Sequence, residues 1–469
     1  MGQDIATGQF QEQDFQRFEQ RLVAEMELLR RWFADDKFCS DQLQCGLELE
    51  AWLIDSDGLP VPDNSLFLTA LDRKWVVPEL SKFNFEVNVS PQYLRGLGLP
   101  NMRAELRATW AHCERVAASM KHRALSIGSL PTITDSMLCV ENMSQIPRYM
   151  ALNEQVLRLR GGQPLLLKID GIDSLRSKHH DVMLESAATS LQVHLKVPPH
   201  LSVRYYNASI IASALTVALA ANAPLLFGKR LWDDTRIAVF EQAVDTLGRK
   251  PRVSFGDGFL EHSLLELFER NLLEHRILLP AQLEQAPATM PHVRMHNGTI
   301  WNWNRALIGF EQDGSPHLRI EHRPMSASPT IADLFADTTL YIGLVHFLAT
   351  MNVAPETRIS FDQAKRNFYS AARKGLAAEV KWLTGATSPI AQLLRDGLQN
   401  QSFEAAAQLG IDGEFLDACQ QVISGRLENM QNGAAWQRRK FDQSAGNARD
   451  MLLEYAERQT QATPVHTWN

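Results

Sequence analysis

Four short segments alternate apolar and polar residues with a period of two, and they constrain the fold more than any other feature of the chain. In CGLELEAWLID (45–55), Leu47, Leu49, Ala51 and Leu53 fall on one side, Glu48 and Glu50 on the other. In FNFEVNVS (83–90), Phe85, Val87 and Val89 oppose Glu86, Asn88 and Ser90. SLQVHLKV (190–197) sets Leu191, Val193, Leu195 and Val197 against Gln192, His194 and Lys196. LRIEHRP (318–324) groups Arg319, Glu321 and Arg323. A period of two is that of a strand with one face in the core and one turned away from it, as in antiparallel sheets.

Helical spacing fills much of the rest. Phe15, Phe18, Leu22, Met26, Leu29 and Trp32 predict a helix over residues 12–35. Others are expected near 101–122, 148–160 and 233–247, with a short strand at 124–131. Ala208 to Phe227 carries no charge for 20 residues, the length of a membrane span. Its Ala, Ser, Thr216, Asn222 and Pro224 favour a buried helix instead. From Thr330 onward the pattern is almost wholly helical. The expected class is α+β, a curved antiparallel sheet packed by helices. The weakest boundary, near 354–360, divides a catalytic domain (1–355) from a C-terminal helical region (356–469).

Composition narrows the function. At 45% hydrophobic and 22% charged residues, the chain is globular rather than disordered. A net charge of −7 without a basic block disfavours nucleic acid. Five scattered cysteines form no C-x-x-C pair, so neither a zinc ribbon nor a thioredoxin motif is expected. Reduced thiols, an N-terminus without a basic–apolar leader, and Ala6 where myristoylation needs Ser or Thr suggest a cytoplasmic protein without a membrane anchor. SFGDGF (254–259) lacks the Lys-Ser/Thr of a phosphate loop and is taken as a turn. His179 and His180, adjacent in a loop, are expected to be solvated.

If the four strands share one curved sheet, their polar faces converge. Glu48, Glu50, Glu86 and Glu321 then crowd one space with His194. Such like-charge crowding calls for cations. Residues i and i+2 lie about 6.5–7 Å apart on a strand, so Glu48 and Glu50 can bracket two metals. Oxygen-rich ligands favour Mg²⁺ or Mn²⁺, and Arg319 and Arg323 suit phosphate or carboxylate. An ordinary solvated sheet face is the alternative these residues leave open.

Taken in order, GLELE with WLID, FEVNVS, SLQVHLKV, HNGTIWNWNR and RIEHRPMSASPTIADLFA resemble the glutamate–cysteine ligase type 2 family over residues 44–350. These are the carboxylate–amine ligases of the glutamine synthetase-like superfamily. The resemblance implies a funnel-shaped sheet with metals on its inner face, and ATP-dependent amide-bond formation. A carboxylate, typically the γ-carboxylate of glutamate, takes the γ-phosphate of ATP. An amine, typically that of cysteine, then attacks the acyl phosphate. Matched by motif, Glu48, Glu50, Glu86, His194 and Glu321 resemble the metal ligands. Arg323 and Arg319 resemble the contacts to the phosphoryl group or the substrate carboxylate. Asn88, Gln192, Asn302 and Arg305 are candidate substrate contacts, with Arg148 a further carboxylate anchor. Trp301 and Trp303 are open to stacking on adenine or to core packing. The implied partners are small molecules (ATP, glutamate, an amine) with Mg²⁺ or Mn²⁺, with no nucleic acid and no membrane; a homo-oligomer is left open. The alternatives are a ligase for another amine and a pseudoenzyme that senses nucleotide or amino acid.

Overall fold

The computed structural model describes residue 5 and residues 8–39 and 42–469. Its strands, in chain order, are β1 (Gln44–Ile54), β2 (Val76–Pro78), β3 (Asn84–Tyr93) and β4 (Arg123–Leu125). A hairpin follows, β5 (Leu165–Asp170) and β6 (Ser174–His179), then β7 (Ser190–Lys196) and the minimal pair β8 (Leu225–Leu226) and β9 (Lys229–Arg230). Next come β10 (Asn304–Phe310) and β11 (Pro316–Ser326), and a last hairpin of β12 (Glu379–Lys381) and β13 (Thr387–Pro389). That hairpin is a small exception within the almost wholly helical stretch expected after Thr330.

The main sheet runs β10-β11-β7-β1-β3-β2, with β4 also on β1. All of its pairings are antiparallel, and it curls into a half-barrel. The four alternating segments are thus its four central strands, as the α+β expectation required. Helices Gly98–Ser119 and Ser202–Ala220 pack against the sheet at β3 and β11. The second of these carries the first part of the uncharged segment, Ala208 to Ala220, and every residue from Tyr205 to Ala220 is buried. Helix Ile331–Thr350 packs on it. Among the described residues that helix alone is long and apolar enough to cross a membrane, and 78% of its apolar window is buried in the protein.

Element ends moved for identifiable reasons. The helix expected from 101 begins at Gly98, because Pro100 is accommodated in a first turn that needs no N–H from it. The helix expected over 233–247 spans only Thr235–Ala243. Its lead-in residues are drawn into other pairings: Asp234 N donates to Ala372 O (2.9 Å) and Thr235 N to Ala223 O (3.0 Å). β4 stops at Leu125 because a side chain replaces the ladder. Gln459 accepts from Ser126 N (3.0 Å) and donates to Ser126 O (2.7 Å).

Packing runs continuously across residue 355. One hydrophobic core includes Trp52 of β1, Leu215, Phe335, Phe403, Leu427 and Tyr455. Gly343 lets helix Gln399–Gln408 approach helix Ile331–Thr350 closely: a Cβ there would sit 2.1 Å from Ser402 O. Since backbone must shift to admit it, Gly343→Ala is expected to cost about 1–3 kcal/mol. Urea denaturation checks this; unchanged stability would mean that the helices slide apart freely.

Candidate active site

The register of the sheet decides which polar residues meet. On β1, Glu48 pairs with Asn88 of β3 on one side and Gln192 of β7 on the other. Glu50 pairs with Glu86. Across β7 and β11, His194 faces Glu321 and Lys196 faces Arg319; across β10, Arg305 faces Glu321. The polar side of the sheet is not solvated: Glu86, Asn88, Gln192, His194 and Glu321 are each 8% exposed or less. This rejects the ordinary-surface alternative.

Two clusters with metal-ligand spacing result. Glu48, His194 and Glu321 form one; Glu50, Glu79 and Glu86 form the other; in each, the ligand atoms lie within 4.8 Å of one another. His194 Nε2 stands 3.2 Å from Glu48 Oε1 and 3.7 Å from Glu321 Oε1. Among the described residues, neither ring nitrogen has a hydrogen bond, although both are buried. A buried imidazole without a hydrogen-bond partner between two carboxylates fits a cation.

The carboxylates are electrically divided. Burial works to raise Glu321, but Arg305, Arg323 and His194 outweigh it and hold its carboxyl down at about 2. Burial also opposes ionisation of Glu48, yet His194 and Arg323 keep it well below the usual range. In the other cluster burial and mutual repulsion outweigh what opposes them. Burial, then Glu48 and Glu50, push Glu86 up to about 7. Burial, then Glu86, Glu50 and Glu185, raise Glu79 far above its ordinary value. Burial raises Glu50 as well, against Arg323 and Arg236. Glu185, from the short helix Met183–Ala187, is pushed up to about 8 by burial and Glu50. A divalent cation would relieve this repulsion, and an oxygen-rich donor set with one nitrogen suits Mg²⁺ or Mn²⁺.

The remaining candidates mostly brace these ligands. Gln192 Nε2 donates to Glu50 Oε1 (2.8 Å), and Ser190 N to Glu50 Oε2 (2.6 Å). Asn88 Nδ2 donates to Glu86 Oε1 (2.7 Å). Arg305 grips Glu321 with two bonds, of 2.6 and 2.9 Å. Arg323 donates to Gln192 Oε1 and lies 3.4 Å from Glu321. The Nε atoms of Arg319 and Arg323 are buried without hydrogen bonds among the described residues. Arg148 acts electrostatically on Glu79 and Glu185. Asn302 is not brought into the clusters by any described contact; its Oδ1 accepts from Ser254 Oγ (2.8 Å) in the loop before β10. Trp303 is core, fully buried, with Nε1 bonded to Glu241 (2.9 Å). His179 corrects another expectation: it is 5% exposed, bonded to Ser177 Oγ (2.8 Å) and 3.2 Å from Asp135.

Three contributors escaped the sequence reading. Glu79 follows Pro78 at the end of a three-residue strand, where no alternation marks it. Glu185 lies in a single 3₁₀ turn. Arg236 donates to the carbonyls of Arg323 (3.2 Å) and Pro324 (3.1 Å) and to Asp234 (3.3 Å). It thereby fixes the β11 irregularity that Pro324, unable to donate, imposes. Only the general scarcity of buried arginine could have pointed to it.

The model of glutamate–cysteine ligase family 2 (GCS2) matches residues 44–452. The chain belongs to that family. Among solved structures, a bifunctional glutathione synthetase from Pasteurella multocida is similar with a TM-score of 0.60 at 12% identity, over 94% of this chain and 55% of that one. The chain therefore spans about half the length of that synthetase. A glutamate–cysteine ligase from Francisella tularensis, in complex with AMP, is similar with a TM-score of 0.54 at 10% identity, over 92% of this chain and 91% of that one. At such identities these two likenesses establish the fold alone. A comparison with the curated proteins gives no match.

Proposed function

We propose that this member of the family joins the γ-carboxylate of glutamate to the amine of cysteine at the expense of ATP. The observation that carries the reading is the pairing of two ligand clusters, Glu48/His194/Glu321 and Glu50/Glu79/Glu86, with Arg319 and Arg323 on one buried sheet face. The family's description and the names of both structural neighbours support the choice of substrates.

In this reading a γ-carboxylate oxygen bonds to the terminal phosphorus and ADP leaves. The amine nitrogen then bonds to the acyl carbon, phosphate leaves, and the amine gives up a proton. Divalent cations held by the two clusters supply neutralisation of phosphate charge. The chain supplies position. Gln192, Ser190 and Asn88 fix the carboxylate orientations, and Arg305 locks Glu321. Arg323, its backbone held by Arg236, and Arg319 present unpaired N–H groups suited to phosphoryl oxygens.

The test measures ADP release with Mg²⁺-ATP and glutamate, with and without cysteine, using Glu48→Gln as control. Release that requires both amino acids and disappears in the variant is the expected result. Release that needs glutamate but ignores cysteine would overturn the acceptor and call for an amine panel. Bound ATP without release under any pairing would turn the reading to a sensor.

A further inference from the structure

The ligand-bearing face is polarised along its strands. Glu50, Glu79, Glu86 and Glu185 gather toward one end. Toward the other, two residues beyond His194 on β7, stands Lys196, in register with Arg319. Lys196 is only 8% exposed, whereas lysines on strand surfaces normally reach water. Its ammonium contacts Glu311, just past the end of β10 in the β10–β11 connection. Glu311 is itself one-third exposed, and Oε1 lies 2.8 Å from His317 Nδ1. Arg294 and Arg305 act electrostatically on Arg319, whose buried Nε has no hydrogen bond among the described residues. Four cations, Lys196, Arg294, Arg305 and Arg319, thus answer to three carboxylates, Glu48, Glu311 and Glu321, of which two already belong to the ligand cluster. A buried surplus of positive charge next to a metal-type cluster is a site for a polyanion.

We propose that Lys196 contacts the phosphate chain of the nucleotide beyond its α-phosphate, and that Glu311 holds the ammonium in place until phosphate takes its position. The proposal rests on the ATP-dependent reading above. An ammonium is a point charge that follows a phosphate through small displacements, where a guanidinium demands a fixed bidentate geometry. Glu311, on the wet rim, can release Lys196 into a new pairing because water receives its carboxylate. The exchange trades one anionic partner for another and involves no covalent step.

Titration calorimetry of the full chain with Mg²⁺-ADP and Mg²⁺-AMP tests this, without any amino-acid substrate. Lys196→Met is expected to weaken ADP by about ten-fold or more, the value of one charge-assisted hydrogen bond, and AMP by less. Glu311→Gln, which frees the ammonium, is expected not to weaken ADP. Melting curves establish that both variants are folded. A smaller effect of Lys196→Met on ADP, or an equal loss for AMP, overturns the proposal. So does an ADP loss in Glu311→Gln as large as in Lys196→Met, since the pair would then be a structural clasp. Failure of the unmodified chain to bind ADP would sink the ligase reading itself, a distinct result.

Discussion

Glu86→Gln is expected to reduce ADP release by more than about 100-fold while the metal-free chain melts at a higher temperature than the parent. The two effects have opposite signs because one carboxylate serves opposing ends. As a ligand beside Glu50 and Glu79 it supplies charge that a divalent cation requires. Losing a ligand outright should exceed the 10–100-fold typical of losing an outer hydrogen-bond partner. Without a cation the same carboxyl is a burden, 5% exposed and pushed to about 7 by burial and its neighbours. The amide keeps the shape and an oxygen to accept from Asn88, which now lies 2.7 Å from Glu86 Oε1. It removes the repulsion toward Glu48 and Glu50. Enzyme assays with Mg²⁺-ATP and calorimetric melting in chelator check both signs. A fall in melting temperature parallel to the fall in rate would mean that Glu86 stabilises the sheet, and the cation argument would fail.

That opposition is also why part of this site was legible in the sequence. Glu48, Glu50, Glu86, His194 and Glu321 sit on strands whose alternate residues are plainly apolar, so their sidedness follows from a period of two. Register does not. Nothing local states that Arg305 lies opposite Glu321 and takes up its carboxylate, or that Asn88 and Gln192 orient Glu86 and Glu50. Irregular backbone hides even more. Glu79 and Glu185 join the carboxylate crowd from a strand end and a 3₁₀ turn, which carry no periodicity. The buried helix Ser202–Ala220 was legible because it carries no charge from Ala208 to its end. β4 was overread because its continuation bonds to Gln459, more than 300 residues away. Long-range side-chain substitution of a ladder leaves no local trace.

The C-terminal helices are tied to the sheet by a similar long-range device, and its removal gives the largest stability effect we expect. Arg426, 1% exposed on helix Gly413–Asn429, bonds Asp333 Oδ1 (2.8 Å) and Asp337 Oδ1 (2.5 Å) of helix Ile331–Thr350. Its Nη1 also reaches Leu219 O (3.3 Å), at the end of the helix beneath β11. Asp333 Oδ2 further accepts from Val465 N (3.1 Å) near the C-terminus. Four separate segments thus meet on three buried charges. Arg426→Met keeps much of the volume but leaves two buried carboxylates uncompensated, which costs about 3–5 kcal/mol. Burial already outweighs Arg426 at Asp337, whose carboxyl is pushed up to about 6. Exchanging all three residues for apolar ones of similar volume should therefore restore most of the loss, because the charges pay heavily for their own desolvation. Urea unfolding of the single and triple variants decides. Loss below about 1 kcal/mol in Arg426→Met would show that water reaches the triad. A triple variant as unstable as the single would show that the hydrogen bonds, rather than the stranded charge, hold the C-terminal helices against helix Ile331–Thr350. That helix begins five residues after Ser326 ends β11. Weakening it should therefore also loosen Arg323, and ADP release by Arg426→Met should fall at temperatures below its melting transition.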